Sequence, residues 1–379
     1  MGLPPLSLYI HTPWCVKKCP YCDFNSHESR GDIPEQAFLH ALLEDFEEEL
    51  PRAQGRVLTS IFIGGGTPSL LSADFYRQLF AALSDKVVFA SDIEITLEAN
   101  PGTFEQGKFS DFREVGVNRL SIGVQSFSEQ HLTNLGRIHS GFEAQRAVEL
   151  AQRVGFDNLN IDLMFGLTDQ NIASAMDDLN QAIALKPRHI SWYQLTVEPN
   201  TYFFKSRPVL PDDDYIWDMQ VAGKARLDEA GYKNYEISAY SQAGFTSRHN
   251  LNYWQFGDYL AIGPGAHGKV TKLAPFTVER YWKTRNPADY LDPNKVYCSG
   301  VKPITKNDMG FEFMLNALRL SEGTSHKIFA SRTGLSFSTV EKKVTALVGE
   351  GLMWNDGLDF GPTAKGQQYL NFILEKFLD

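Results

Sequence analysis

Residues 7–24 read SLYIHTPWCVKKCPYCDF, an apolar strand-like run that breaks into a loop carrying Cys15, Cys19 and Cys22. The spacing is C-x3-C-x2-C. Three thiolates on one short loop can hold three corners of a [4Fe–4S] cube and leave the fourth iron open to chelate a small molecule through amine and carboxylate groups. A zinc site would need a fourth protein ligand. His11 or His27 could supply it, but structural zinc motifs pair two cysteines with a distant second pair that this sequence lacks. Three crowded cysteines cannot pair off evenly and no secretion signal precedes them, which disfavours a disulfide. The spacing therefore favours a cluster over zinc, and Cys298 reads as a buried thiol rather than a ligand.

Outward from that loop, short apolar strands alternate with amphipathic helices over the first two thirds of the chain. Strands are expected at 6–10, 58–63, 93–97, 119–124, 159–164 and 190–195, and helices at 36–50, 73–83, 142–154 and 172–185. Six βα units in sequence argue for a parallel sheet, either open and doubly wound or an incomplete barrel. The polar residues decide between the two. The GGGTP run at 64–68, Glu98, Gln125 and Asp162 each follow or end a different strand, as loops do on the active face of a barrel. A doubly wound sheet would gather its ligands at one switch point instead. The expected fold class is α/β: a partial (β/α)6 TIM-like barrel over residues 1–231, a β-rich connecting region at 232–300 and a C-terminal helical domain at 301–379. In that last part ITKNDMGFEFMLNALRLSEGT reads as an amphipathic helix, followed by two helices joined around Gly334, a strand-like piece and a final helix, a winged-helix-like arrangement.

The 379 residues, 43% hydrophobic and 22% charged, can bury a substantial core. A net charge of -10 leaves no electrostatic footprint for nucleic acid, which also argues against reading the winged-helix shape as a DNA reader. With no long apolar run and no N-terminal targeting signal, a cytoplasmic location is expected. The acidic stretch at 44–49 reads as a solvated helix face.

The three glycines of IFIGGGTPSLL let backbone groups approach a substrate closely, although a tight turn would explain them equally well. The run is neither a dinucleotide fingerprint nor a phosphate loop. Glu98 and Asp162 interrupt apolar strands, where a carboxylate must find a partner or a ligand hydroxyl. Further on, RHNLNYWQFGDYLAIGPGAHG sets His249, Asn250 and Tyr253 in an H-N-x-x-Y pattern within an aromatic, glycine-rich stretch. Histidine and tyrosinate both serve as axial ligands of haem iron, and aromatic walls suit a flat macrocycle. The plain alternative is a hydrogen-bonded core pair. His267 competes as a ligand, though its glycine neighbours suit a turn as well.

Taken together, SLYIHTPWCVKKCPYCDF, FIGGGTPSLL, LEANPGT, NRLSIGVQSF, LGRIHS and NIDLMFGL resemble the radical SAM enzymes related to oxygen-independent coproporphyrinogen III oxidase, in particular the HemW haem-chaperone branch. The resemblance extends over nearly the whole chain. It implies S-adenosyl-L-methionine (SAM) on the open iron of a [4Fe–4S] cluster held by Cys15, Cys19 and Cys22. Tyr9 would lie beside the cluster and the methionyl group, and Gly65, Gly66 and Thr67 would contact that group. Glu98, Gln125, Arg137 and Asp162 match the other cofactor positions. Carboxylates suit ribose hydroxyls and the amine, and the planar fork of Arg137 suits a carboxylate.

The family chemistry is one-electron cleavage of the sulfonium to methionine and a 5′-deoxyadenosyl radical. True coproporphyrinogen dehydrogenases carry a fourth cysteine two residues beyond the third, where Phe24 stands here, and an N-terminal extension ahead of the first strand. Both departures argue against that activity. HemW-type proteins share the H-N-x-x-Y pattern, so the resemblance implies haem as cargo, held by His249 with Tyr253 assisting, for delivery to respiratory haem proteins. Membrane contact would be peripheral, through those clients, and a homodimer is left open. The alternative function is the oxygen-independent coproporphyrinogen III dehydrogenase itself, which oxidatively decarboxylates propionates to vinyl groups.

Overall fold

The computed structural model describes residues 2–103 and 106–378. Six strands, β1 (Leu6–Thr12), β2 (Leu58–Gly65), β3 (Phe89–Ala99), β4 (Arg119–Gln125), β5 (Asn158–Phe165) and β6 (His189–Gln194), lie side by side in chain order and all parallel. Between and after them run α1 (Glu35–Ala53), α2 (Ala73–Ser84), α3 (Gln106–Glu114), α4 (Gly141–Arg153), α5 (Ile172–Ala184) and α6 (Asp213–Glu229). This is the α/β partial barrel expected from the alternation of patterns. Its strands are buried on both faces, by helices outside and by interior side chains inside, and so read as near-continuous apolar runs.

Helix starts are fixed locally. Ser72 caps α2 through the Phe75 N–H, and Ser140 with Glu143 forms a reciprocal capping box at α4, as Asn171 and Ser174 do at α5. These caps set where each strand-to-helix loop ends, and those loops carry the polar residues of the site.

The sheet extends beyond the six units to twelve strands. On one edge, β7 (Lys233–Glu236) and β8 (Ala239–Ser241) add antiparallel to β6. Past the other edge, β9 (Asp258–Ile262) pairs parallel with β1, so seven adjacent strands are parallel, and β10 (His267–Leu273), β11 (Phe276–Lys283) and β12 (Cys298–Pro303) continue antiparallel. A short helix, α7 (Arg248–Trp254), enters ahead of β9.

The C-terminal part has its own apolar core, built on Phe313, Phe329, Phe337 and Phe360, and it includes Phe256 and Val278 of the preceding region. Its helices α8 (Met309–Ala317), α9 (His326–Thr333) and α10 (Ser338–Gly349) accompany a three-stranded sheet. Gly334 ends α9 in the left-handed conformation that a C-terminal cap favours.

Register stacks the barrel interior into rows. Ser7, Ser60 and Glu94 align near the strand beginnings, and Tyr9, Phe62, Thr96, Arg119 and Asn158 align in the next row. Because side chains alternate along a strand, these rows and the one holding His11, Gly64, Glu98 and Ser121 all face inward.

Candidate functional site

The cysteine loop leaves β1 through a two-residue pairing of Trp14–Cys15 with His27–Glu28. It is tied down at both ends. Thr67 N–H donates to the Trp14 carbonyl at 2.7 Å and Gly66 N–H to that of Thr12 at 2.6 Å, while the Asn25 amide donates to the carbonyls of Pro264 and Arg285 at 2.9 and 2.8 Å. His11 holds the loop from beneath. Its Nε2 lies 3.0 Å from the Asn25 carbonyl, which can only accept, so Nδ1 is the acceptor for the Tyr9 hydroxyl at 3.0 Å. Burial lowers the His11 pKa to about 4, so it stays neutral in this role.

All three loop cysteines are free thiols. Burial pushes the thiols of Cys15 and Cys22 up, which favours the protonated form until a metal takes the thiolate. A guanidinium nitrogen of Arg137 reaches Cys19 Sγ at 3.5 Å. Both ring nitrogens of His11 are engaged, and among the described residues no group of three or more His, Cys, Asp and Glu converges on a single ion. His11 is therefore not free to complete a zinc site.

The thiols open onto a cavity of about 270 Å³ at the strand C-termini, walled also by Gly65, Gly66, Glu98, Gln125, Arg137 and Asp162. Of the cofactor positions expected from sequence, these six are brought together. Thr67 lies in an adjoining recess with Cys19, Asn100 and Arg137. Tyr9 is not on the cavity wall: it sits one row deeper, behind His11 and stacked on Phe62.

The glycines are required by the close approach of two loops. A Cβ on Gly66 would fall 2.4 Å from the Trp14 carbonyl oxygen, and one on Gly65, whose φ is +108°, would fall 2.3 Å from the His11 ring. Glu98 accepts the Gly65 N–H at 3.1 Å, and burial, then the neighbouring Asp162, raises its pKa to about 7. Asp162 is raised by burial as well, and accepts from Ser121 at 2.8 Å and Asn160 at 2.9 Å. Gln125 adopts φ +68° and receives the Tyr193 hydroxyl at 2.8 Å. The other terminal nitrogen of Arg137 donates both to Asn100 Oδ1 at 2.5 Å and to the Gly123 carbonyl at 2.8 Å.

Asn100, Tyr193 and Asn25 were not singled out in the sequence. For Asn100 the signal was available, in the Asn-Pro pair that closes a strand; for the other two, only the folded contacts reveal a role. The donor set fits a cluster with a chelated amino-acid-bearing nucleoside. It offers three disulfide-free thiols on one wall, glycines where backbone must lie open, carboxylates for hydroxyl or amine, and a guanidinium whose Nε is still without a partner.

The H-N-x-x-Y segment is α7, at the opposite end of the barrel interior. Glu94 accepts the backbone N–H groups of Arg248 and His249, both at 3.1 Å, and so anchors the helix N-terminus. His249 is 3% exposed, with its ring 5.1 Å from Phe62 and 6.4 Å from Tyr9. Its Nδ1 lies 3.2 Å from Ser60 Oγ, and Ser60 gives its own proton to Ser7 Oγ at 2.8 Å. Ser60 can therefore only accept, Nδ1 carries the proton, and Nε2 presents a bare lone pair with no partner. Burial, then the charge of Arg119, brings the His249 pKa down to about 3.

Tyr253 stacks on Tyr259 at 3.9 Å, and its ring lies 5.3 Å from that of His249. Over this end sits the C-terminal core. Arg280 bonds the Tyr259 hydroxyl at 3.2 Å and forks onto Glu312 of α8, Arg319 lies 4.3 Å over Trp254, and Phe313 meets Phe256. His267 is elsewhere, exposed at the start of β10 and stacked on Trp282.

The fold is that of a radical SAM protein: residues 9–179, which include the three cysteines, match the radical SAM superfamily, while residues 304–369 match the HemN C-terminal domain. Over 99% of this chain and 98% of theirs, the sequence is 49% identical to heme chaperone HemW of Haemophilus influenzae; over 99% of both chains it is 48% identical to that of Escherichia coli. The chain belongs to the HemW family. The structure of the E. coli coproporphyrinogen III oxidase HemN superposes with a TM-score of 0.83 at 22% identity, covering 99% of this chain and 90% of that one, a likeness of fold.

Proposed function

We propose that this protein is a haem chaperone, taking haem as cargo and passing it to respiratory haem proteins. The near-full-length similarity to proteins named heme chaperones supports the class. The observation that carries the residue assignment is the state of His249. Kept neutral by burial, with its tautomer fixed by Ser60 and its Nε2 lone pair unpartnered, it is the form of imidazole that ligates iron. Tyr253 stands beside it as the second haem residue. In the closed arrangement His249 is sealed in, so loading requires α7 to move away from the barrel floor.

At the other end, Cys15, Cys19 and Cys22 would hold a [4Fe–4S] cluster, and Gly65, Gly66, Thr67, Glu98, Gln125, Arg137 and Asp162 would hold SAM, with Tyr9 acting through His11 on the loop. Bound there, the pair supplies one-electron cleavage of the sulfonium. The chain's own contribution is positional: Gly65 and Gly66 expose backbone, Glu98 and Asp162 offer acceptors, and the His11–Asn25 contact holds the cysteine loop against the barrel. No helix of the described residues is long and apolar enough to cross a membrane. In the proposed setting the protein works in the cytoplasm and meets membranes through its clients.

The second reading, coproporphyrinogen dehydrogenase, meets Phe24, a side chain 59% exposed on the cavity lip where such enzymes carry a cysteine. Haem titration of wild type and His249→Ala tests the first reading: the variant should lose affinity and shift the Soret band, and identical titrations would refute the ligand assignment. Anaerobic incubation of reconstituted protein with coproporphyrinogen III, reductant and SAM tests the second, and formation of protoporphyrinogen IX would overturn the chaperone reading.

A further inference from the structure

Beneath the cofactor cavity, one row of the barrel holds more polar atoms than partners. Phe62, Thr96, Arg119 and Asn158 stand in register on four adjacent strands. Thr96 Oγ1, Arg119 Nε and Asn158 Oδ1 are all buried without a hydrogen-bond partner, and so is Nε2 of His249, whose ring packs on Phe62. Buried polar atoms are nearly always paired, so four orphans gathered at one level of a barrel call for an occupant.

Arg119 is the strongest demand among them. It is 2% exposed, and a guanidinium cannot shed its charge as a buried lysine can. The Arg119 charge is felt at Glu98 and Asp162, but among the described residues no carboxylate bonds it directly: Glu94 takes the start of α7, Glu98 the Gly65 N–H, and Asp162 Ser121 and Asn160. His189 is saturated too, by Asn160 Oδ1 at 2.6 Å and the Tyr235 hydroxyl at 2.8 Å. The row thus offers a cation and a free hydroxyl donor close to a histidine lone pair.

We propose that Arg119 and Thr96 form a carboxylate subsite on the barrel floor, which takes a propionate of the haem whose iron His249 ligates. The proposal rests on the haem reading of His249. It adds what that reading lacks, a group that orients the macrocycle and recognises its acidic edge: the planar fork of Arg119 matches a carboxylate bidentately, and the Thr96 hydroxyl supplies a further donor. Asn158 closes the row on the far side with an amide that can present either end. A free small carboxylate has the same chemistry as a propionate, so the two sources must be separated by experiment.

The test compares haem with its dimethyl ester, in which both propionates are masked, by Soret titration of full-length reconstituted protein. Wild type should prefer haem by about tenfold or more, the worth of one charge-assisted hydrogen bond. Arg119→Gln should bring that ratio to about one while the Soret position stays that of a His249 complex. A ratio near one in wild type, or an unchanged ratio in Arg119→Gln, overturns the subsite. Should Arg119→Gln fail to fold, Thr96→Val, which keeps the shape and removes the donor, must lower the ratio, and an unchanged ratio there overturns it equally. Formate in the titration should weaken haem binding and leave the diester untouched; equal effects on both would mark a free-anion site and overturn the propionate assignment. Loss of the iron ligand is read separately: a Soret band unaffected by His249→Ala sinks the haem reading itself, whatever Arg119 does.

Discussion

Replacing Glu98 by Gln isolates the cost of keeping an acid poised in the cofactor cavity. The carboxyl is held at a pKa of about 7 against an ordinary 4.5, mainly by burial and then by Asp162. A raised acid pKa means that the folded protein binds the proton more tightly than the unfolded chain. Stability is then full below pH 4.5, falls as the unfolded carboxylate ionises, and levels off above pH 7, once the folded group has ionised as well. A shift of this size corresponds to at most about 3 kcal/mol, since one unit is about 1.4 kcal/mol and the carboxylate borders a cavity that water can screen.

Gln keeps the acceptor for the Gly65 N–H and never ionises. In cluster-free protein, Glu98→Gln should therefore match wild type at pH 4.5 and melt higher at pH 8. The gap should be on the order of 5 °C, taking about 2 °C per kcal/mol for a chain of this length. Taking the difference between the two proteins cancels the titrating groups that Glu98 does not touch, while Asp162, coupled to it, moves with it in the same direction. SAM affinity should move the other way, falling in the variant at pH 8 because the charged acceptor is gone. A melting difference that is the same at pH 4.5 and pH 8, or one that grows toward low pH, would refute the argument that burial sets this carboxyl.

Gly65→Ala forces a Cβ into the His11 ring at a φ of +108°, and should reduce the iron and sulfide retained on reconstitution while far-ultraviolet circular dichroism stays unchanged. Ser60→Ala removes the acceptor that fixes the His249 tautomer, so haem affinity should fall about fivefold, the worth of one hydrogen bond; an equal affinity would mean that Ser60 does not orient the ring. Glu312→Gln loosens the Arg280 fork that props Tyr259 under Tyr253, and should speed both haem uptake and amide exchange across α7, read by stopped-flow absorbance and mass spectrometry. Lys283→Met removes the cation shared by Asp45 and Glu49 of α1, two acids that the structure buries where the sequence suggested a solvated helix face, and leaves Asp45 to Tyr290 and Glu49 to Arg52. It should cost about 3–5 kcal/mol in denaturant unfolding at neutral pH, and less at low pH where Asp45, raised by burial to about 6, protonates.

Much of this was legible in the chain itself wherever the signal is local. The period of apolar residues marked the six parallel strands and four of their helices, and Ser72, Ser140 and Asn171 stand where capping chemistry starts α2, α4 and α5. α6 went unread because its apolar residues form a weak stripe, with Trp217 and Val221 left exposed. β9 could be seen as apolar, but not as a seventh parallel strand beside β1, because that pairing joins residues some 250 positions apart and no local pattern encodes it. The same holds for His11, a candidate zinc ligand by spacing, whose two nitrogens are instead spent on Tyr9 and Asn25.

Sequence by itself determined the donor types: three thiols on one loop, carboxylates and an amide at strand ends, glycines between them, and a histidine and a tyrosine four apart. Tertiary structure alone decided which of these meet. It gathered Cys15, Cys19, Cys22, Glu98, Gln125, Arg137 and Asp162 around one cavity, set Tyr9 a row deeper, and placed His249 at the far end over Ser60, near an Arg119 whose Nε has no partner. The physical reason is that residue type and spacing are properties of the chain, whereas burial, tautomer and the lack of a partner depend on what the other strands bring alongside.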